Sequence, residues 1–154
     1  MGSLLKSTVR KERTMCRKDL LRDISNTLVS FGFAESNSGA AMTYQSNVRY
    51  PSIFAGKNDY AHFIVHMPNS TIQVVAKFQE SSGTAMEKLG YTAFDAERTK
   101  HDAYLVVCGG QELLRDRRAL DFLNEKRHIA PKLRALTVSG LSDYLASELS
   151  LEAA

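Results

Sequence analysis

Apolar residues recur at helical spacing over residues 15–31, where Leu20, Leu21, Ile24, Leu28 and Phe31 form one stripe and Gly32 comes next as a stop signal. This pattern predicts a first helix. Residues 34–47, AESNSGAAMTYQSN, are small and polar and read as a loop, with a strand beginning over residues 44–50 and Pro51 and Gly56 punctuating the stretch after it. Residues 59–67 (DYAHFIVHM) and 71–79 (TIQVVAKFQ) have strand character and are separated only by Pro68-Asn69-Ser70, so they predict a β-hairpin.

Helical spacing returns over residues 84–100 through Ala85, Leu89, Ala93 and Ala96. The run YLVVC at 104–108 is wholly apolar, as expected for a strand buried on both faces, and it ends in Gly109-Gly110. Residues 111–126 predict an amphipathic helix, 136–138 a short last strand, and 139–149 a closing helix with Leu141, Tyr144, Leu145 and Leu149 on one face. The predicted order is a helix, a β-hairpin, then αβαβα. Helices on both faces of a mixed central sheet would bury these strands.

Within the second hairpin strand, alternation places Gln73, Val75, Lys77 and Gln79 on one face and Val74, Ala76 and Phe78 on the other. A lysine and two amides inside so apolar a strand need polar partners or an open cleft, because an unpaired buried charge is costly. The partner strand starts at Asp59, so the hairpin can bring a carboxylate towards the lysine. An acid and an amine on one sheet edge suit metal-assisted hydrolysis, the carboxylate binding Mg²⁺ and the lysine orienting water or stabilising charge on phosphorus.

Composition excludes several other classes. The 154 residues are 44% hydrophobic and 24% charged, which fits one compact domain with a core large enough to need no disulfide or structural zinc. No apolar run is long enough to span a membrane, and the charged start leads into no secretory h-region, so a cytoplasmic setting is expected. Cys16 and Cys108 have no CxxC or Cys/His spacing around them and read as reduced thiols. G-x-S-x-G, H-E-x-x-H and Walker motifs are absent.

The net charge of +3 hides an uneven distribution. Residues 1–18 carry Lys6, Arg10, Lys11, Arg13, Arg17 and Lys18 against Glu12 alone, a net +5, which leaves −2 for the other 136 residues. The chain divides into a basic N-terminal arm, 1–18, and a single domain, 19–150. A concentrated basic arm can track phosphates and supply sequence-independent affinity for nucleic acid. A solvated tail is the plain alternative. Arg115, Arg117 and Arg118 read as a solvated helix face, and His62 and His66 as strand histidines without an acidic cluster around them.

Asn58-Asp59 before a hairpin, Val75-Ala76-Lys77-Phe78-Gln79, the run SSGTAMEK at 81–88 and the later LVVCGG together resemble the PD-(D/E)xK nuclease superfamily. The likeness is densest from Arg49 to Gly110, and its most specific stretch is KFQESSGTAMEKL. It implies an α/β fold, a restriction-endonuclease-like αβββαβ core with a mixed central sheet flanked by helices. It also implies phosphodiester hydrolysis with Mg²⁺ or Mn²⁺, with DNA the expected substrate and RNA not excluded.

The chain departs from the family pattern at one place: the acidic residue expected two positions before the lysine is Val75. Three readings are open. The carboxylate has migrated to the next helix, with Glu87 the first candidate and Glu80 the second, although Thr84-x-x-Glu87 also has the form of a capping box. Alternatively Gln73 or Gln79 substitutes as a neutral oxygen ligand, or the site is inactive and the domain only binds. The expected site is therefore Asp59 and Glu87 on the metal, Lys77 positioning water and Gln79 orienting the site, with the basic arm on phosphates. A domain this small would act as a homodimer to cut both strands, or would rely on structure, ends or a partner for specificity. The alternatives are an inactive nucleic-acid-binding or assembly module of the same fold, and a protein-interaction domain.

Overall fold

A computed structural model describes residues 16–154. The elements are α1 (Arg17–Ser30), β1 (Ala34–Glu35), β2 (Thr43–Pro51), β3 (Asn58–His66), β4 (Thr71–Phe78), α2 (Leu89–Glu97), β5 (Ala103–Gly109), α3 (Gln111–Leu114), α4 (Arg118–Glu125), β6 (Leu133–Leu136) and α5 (Val138–Ala153). The six strands form one sheet in sequence order. β2, β3 and β4 pair antiparallel, while β1 with β2, β4 with β5 and β5 with β6 pair parallel. This is the mixed sheet with flanking helices expected of an αβββαβ core.

Each face of the sheet carries its own hydrophobic layer. On one face Leu20, Ile24 and Leu28 of α1 and Leu141 and Leu145 of α5 pack on Phe63, Val65, Val74 and Leu105. On the other, Leu89 and Ala96 of α2 and Leu113, Leu120 and Leu123 of α3 and α4 pack on Val75, Tyr104, Val106 and Cys108. All seven residues of β5 are buried, which is why its sequence is apolar without alternation. Among the described residues no helix is long and apolar enough to cross a membrane.

Several boundaries differ from the sequence expectation. Arg17 and Lys18, assigned to the arm, form the first turn of α1, and the last helix continues to Ala153. The loop expected over 34–47 contains β1 and the start of β2. The helix expected over 84–100 is a 3-10 turn, Met86–Lys88, leading into α2, so the capping box at Thr84 does not form; Ala85 is the N-cap residue and no side chain caps it. The helix expected over 111–126 is broken, because Asp116 and Arg117 take left-handed backbone angles, φ 54° and 59°. The last strand lies at Leu133–Leu136 rather than at 136–138.

Two irregularities in the hairpin region prepare the site. The β2–β3 register passes from Ser46↔Phe63 to Val48↔Ala61, skipping Asn47, whose φ is 54°, and His62. Tyr44 packs edge-on against Phe63 in the α1 layer, whereas Tyr50 bonds to Asp95 on α2. Positions 44 and 50 would share a face under strict alternation, so the alternation slips between them. In addition, β3–β4 pairing runs from His66↔Thr71 only to Phe63↔Val74. Past that point the Ala76 N–H donates to His62 Nδ1 at 2.8 Å, a side chain standing in for the ladder. The hairpin therefore opens towards the Asp59 and Lys77 ends.

Candidate functional site

The opening of the hairpin forms a cleft of about 350 Å³, lined by Asp59 and Tyr60 of β3, Val75 and Lys77 of β4, Tyr91 and Asp95 of α2, and Tyr50, Tyr104, His62 and Arg17. Asp59 and Lys77 thus line one cleft. Asp59 reaches this face because of the slip at Asn47 and His62; strict alternation would place it with Ala61 and Phe63 towards α1. The Tyr91 hydroxyl donates to Asp59 Oδ2 at 2.5 Å, and the Ser52 and Tyr91 hydroxyl oxygens are 3.1 Å apart.

Asp95 is the carboxylate that sequence reasoning missed. It is 4% exposed, and its Oδ2 accepts from Tyr50 at 2.5 Å and from Tyr104 at 2.7 Å. Its Oδ1 has no hydrogen-bond partner; Arg98 Nη1 stands 3.5 Å away. Burial, together with the neighbouring carboxylates, pushes the phenols of Tyr50, Tyr91 and Tyr104 upward, so all three remain donors. A signal was present in the sequence: Tyr91 and Asp95 are four apart on a helix and so share a face, beside the apolar positions Ala93 and Ala96.

Lys77 is half-buried at the boundary between this cleft and a neighbouring depression of about 330 Å³. Burial pushes its ammonium down from the ordinary lysine range, and the positive charges of Arg17 and Lys88 add to that effect, while Asp95 opposes it. Among the described residues no Asp or Glu lines the neighbouring depression, which is bounded by Arg17, His62, Lys77, Phe78, Gln79 and Lys88 together with small residues. Burial first, then Arg17 and Lys77, depress His62 to about 4. Its Nδ1 accepts from Ala76 N–H, so a neutral ring carries its hydrogen on Nε2, where Arg17 Nη2 stands at 2.5 Å.

The other expected residues have different surroundings. Gln79 Oε1 accepts from Ala85 N–H at 2.8 Å and pins the 80–85 loop over the basic depression. Glu87 is not brought to Asp59 and Lys77: it is exposed and lines a separate depression with Glu112, Leu113 and Arg118, because the turn at Met86–Lys88 points it away from the open hairpin. Glu80 Oε1 accepts from Gln111 N–H at 2.9 Å, at the start of α3. Gln73 is buried on the Lys77 face and its Oε1 accepts from Thr99 at 2.7 Å. Lys18 is exposed on α1 and does not line the cleft. Lys6, Arg10, Lys11 and Arg13 lie outside the described residues. Arg115, Arg117 and Arg118 pair with Glu112 and Asp121 as a solvated face.

Among the described residues no group of three or more His, Cys, Asp or Glu side chains is gathered for a metal. The donor set is two carboxylates in a cleft beside cationic side chains, one with a buried oxygen that has no hydrogen bond among the described residues and faces Arg98 at 3.5 Å. That set fits a hard divalent ion of the Mg²⁺ kind, which is usually held by one or two carboxylates with water and substrate phosphate completing its shell.

No curated protein and no solved structure matches the chain. A family model described as the PD-(D/E)XK nuclease superfamily domain matches residues 15–150, which takes in every described element that lines the cleft. Nucleases of this superfamily generally use divalent metals on nucleic acid. With the mixed six-stranded sheet and the Asp59–Lys77 cleft, this match shows that the chain belongs to the PD-(D/E)XK nuclease superfamily.

Proposed function

We propose that this domain is a Mg²⁺-dependent nuclease that hydrolyses DNA phosphodiester bonds, with Asp59 and Asp95 as the metal-holding carboxylates and Lys77 beside them. The observation that carries this is the convergence of those three side chains on one cleft, at the point where the hairpin opens. In this reading Asp95 supplies from α2 the carboxylate that Val75 lacks, in place of Glu87.

A divalent ion bound there would activate water and neutralise charge developing on phosphorus. Tyr91 holds Asp59 in one orientation, and Tyr50 and Tyr104 do the same for Asp95, so neither carboxylate has to reorganise when substrate arrives. Lys77, with its proton held less tightly than in water, directs an N–H towards the attacking water or the phosphoryl oxygen. Arg17 and Lys88 neutralise the substrate backbone alongside it. Gln79 acts through the loop it pins. The basic residues Lys6, Arg10, Lys11 and Arg13 would add to this phosphate-binding capacity.

Two copies of the cleft in a homodimer would cut both strands of a duplex; one copy suffices for one strand. The proposed setting is cytoplasmic, compatible with the free thiols of exposed Cys16 and buried Cys108. Val75, 6% exposed and packed among apolar residues, favours a second reading in which the domain binds nucleic acid without cleaving it. Incubation of plasmid DNA with the protein and Mg²⁺ or Mn²⁺ separates the two. Nicking or linearisation that is lost in Lys77→Ala supports the nuclease, whereas salt-sensitive binding with no cleavage in either metal supports the second reading.

A further inference from the structure

Two exposed aromatic side chains stand at the cleft: Tyr60 lines it, and Phe54 stacks on its lining residue Tyr91. Phe54 is 57% exposed and Tyr60 51%, and Ile53 and Phe94 are exposed as well. Isolated apolar side chains on a surface need no explanation, but several gathered beside a polar cleft mark a binding surface.

Phe54 is also held in position. Its ring stacks on Tyr91, with centroids 6.1 Å apart and planes 11° from parallel. Its N–H donates to Ser52 Oγ at 3.1 Å, and the loop is closed by Ser52 N–H to the Lys57 carbonyl at 2.9 Å and Lys57 N–H to the Phe54 carbonyl at 3.2 Å. Tyr91, under Phe54, is the residue that holds Asp59. Tyr60 lines the cleft directly, and Phe94 lies one turn after Tyr91 on α2. The platform is therefore built onto a proposed metal-holding carboxylate.

Arg17, which lines the cleft as well, and Lys88 border the neighbouring depression, which no acid lines among the described residues. A cationic track for the backbone next to exposed aromatic faces is the arrangement that suits unpaired nucleotides, whose bases are free to stack on side chains. A duplex keeps its base faces inside its own stack and offers Phe54 only backbone and groove edges.

We propose that the cleft takes an unpaired nucleic-acid strand, its phosphates on Arg17, Lys77 and Lys88 and a base beside the reacting phosphate stacked on Phe54 and Tyr60. This rests on the nuclease reading above and narrows it from nucleic acid in general to a single-stranded or locally opened substrate.

The test is binding by the full chain in EDTA, so that no cleavage is needed. The probes are a single-stranded DNA oligonucleotide carrying 2-aminopurine, an RNA of the same sequence and the blunt DNA duplex, at one salt concentration. Wild type is compared with Phe54→Leu and Tyr60→Leu, exposed positions where leucine keeps apolar area and removes the π-face, and circular dichroism checks folding. The expected result is single-strand affinity at least about tenfold above duplex, quenching of 2-aminopurine, and a loss of about 5- to 100-fold in single-strand affinity in the variants. The DNA and RNA arms tell which backbone is preferred. Equal or tighter duplex binding, or variants that bind single strands as wild type does, would overturn the proposal even if Mg²⁺-dependent plasmid cleavage is observed. A change of oligomeric state in Phe54→Leu with unchanged strand binding would also overturn it, since the patch would then be a protein interface. Phe54-dependent single-strand binding in a protein that cleaves nothing supports the strand preference and removes the nuclease reading alone.

Discussion

Tyr91 on α2 donates its hydroxyl to Asp59 on β3, while Tyr50 on β2, the register partner of Asp59, donates to Asp95 on α2, each at 2.5 Å. Strand and helix exchange one tyrosine and one carboxylate in each direction. Because Tyr91 and Asp95 are one helical turn apart, this reciprocal pair fixes how α2 sits against the opened hairpin. It also sets two acids on one cleft, with Arg98 3.5 Å from the outer oxygen of Asp95.

The two carboxylates make the first prediction. Asp59→Asn and Asp95→Asn keep the acceptor oxygens for the tyrosine hydroxyls but weaken the hold on a hard cation, so Mg²⁺-dependent cleavage should fall by at least about 100-fold in each. Glu87→Gln, outside the cleft, should stay within about twofold of wild type. Steady-state nicking rates across a Mg²⁺ titration measure this. Full activity in Asp95→Asn would remove it from the metal site.

Val75 lines the cleft yet is packed with Leu89 and Tyr104. Val75→Glu should therefore destabilise the metal-free protein by about 2–4 kcal/mol, the cost of placing a carboxylate in a largely apolar setting. If the cleft is a metal site, Mg²⁺ or Mn²⁺ should raise the melting temperature of this variant more than that of wild type, since a ligand that binds only the folded state stabilises it. Melting curves with no such difference would argue against a cation beside position 75.

His62 predicts a loss of stability in mild acid. Its folded value is lowered to about 4 against about 6.5 unfolded, so its neutral form is favoured by folding. The contribution is fully present above about 6.5 and is lost as pH falls from there to about 4, because only the unfolded chain takes up the proton in that range. Solvent reaches part of the ring and screens it, so the total is well below the full ~3 kcal/mol that this difference would carry unscreened. Urea unfolding at pH 7 and pH 4.5 should show a drop that is reduced in His62→Gln. An unchanged pH slope in that variant would assign the acid sensitivity elsewhere.

Gly110 sits at φ +94°, and a Cβ there would lie 2.3 Å from the Gln79 carbonyl oxygen, which already accepts from Leu113 N–H at 3.0 Å. Gly110→Ala should cost about 2–4 kcal/mol, read from the urea midpoint, because neither the backbone angle nor the close approach tolerates a side chain. A cost below about 0.5 kcal/mol would mean that this turn yields without disturbing β4. The expected loss is structural, so cleavage per folded molecule should fall less than in Asp59→Asn.

What the amino-acid order determined by itself was whatever depends on neighbours a few positions apart. The stripe Leu20, Ile24, Leu28 specified α1, the run YLVVC specified a strand buried on both faces, and alternation around Lys77 specified a polar row in an apolar strand. The family likeness over the same stretch named the fold.

Tertiary structure decided the rest, since it turns on residues far apart in the chain. Asp59 faces Lys77 only because side-chain alternation is interrupted at Asn47 opposite His62 while the register itself continues unchanged, which reverses the face the remaining strand presents. Asp95 shares a helix face with Tyr91 in the sequence, but it is the hydroxyl of Tyr50, 45 positions earlier, donating to it that ties it to the hairpin. Glu87 had suitable chemistry and a plausible distance along the chain, but a 3-10 turn in place of a helical one directs it elsewhere. Periodicity can report which residues share a face within an unbroken element; it carries no information across an interruption, and the contacts that fix the face beyond it are long-range.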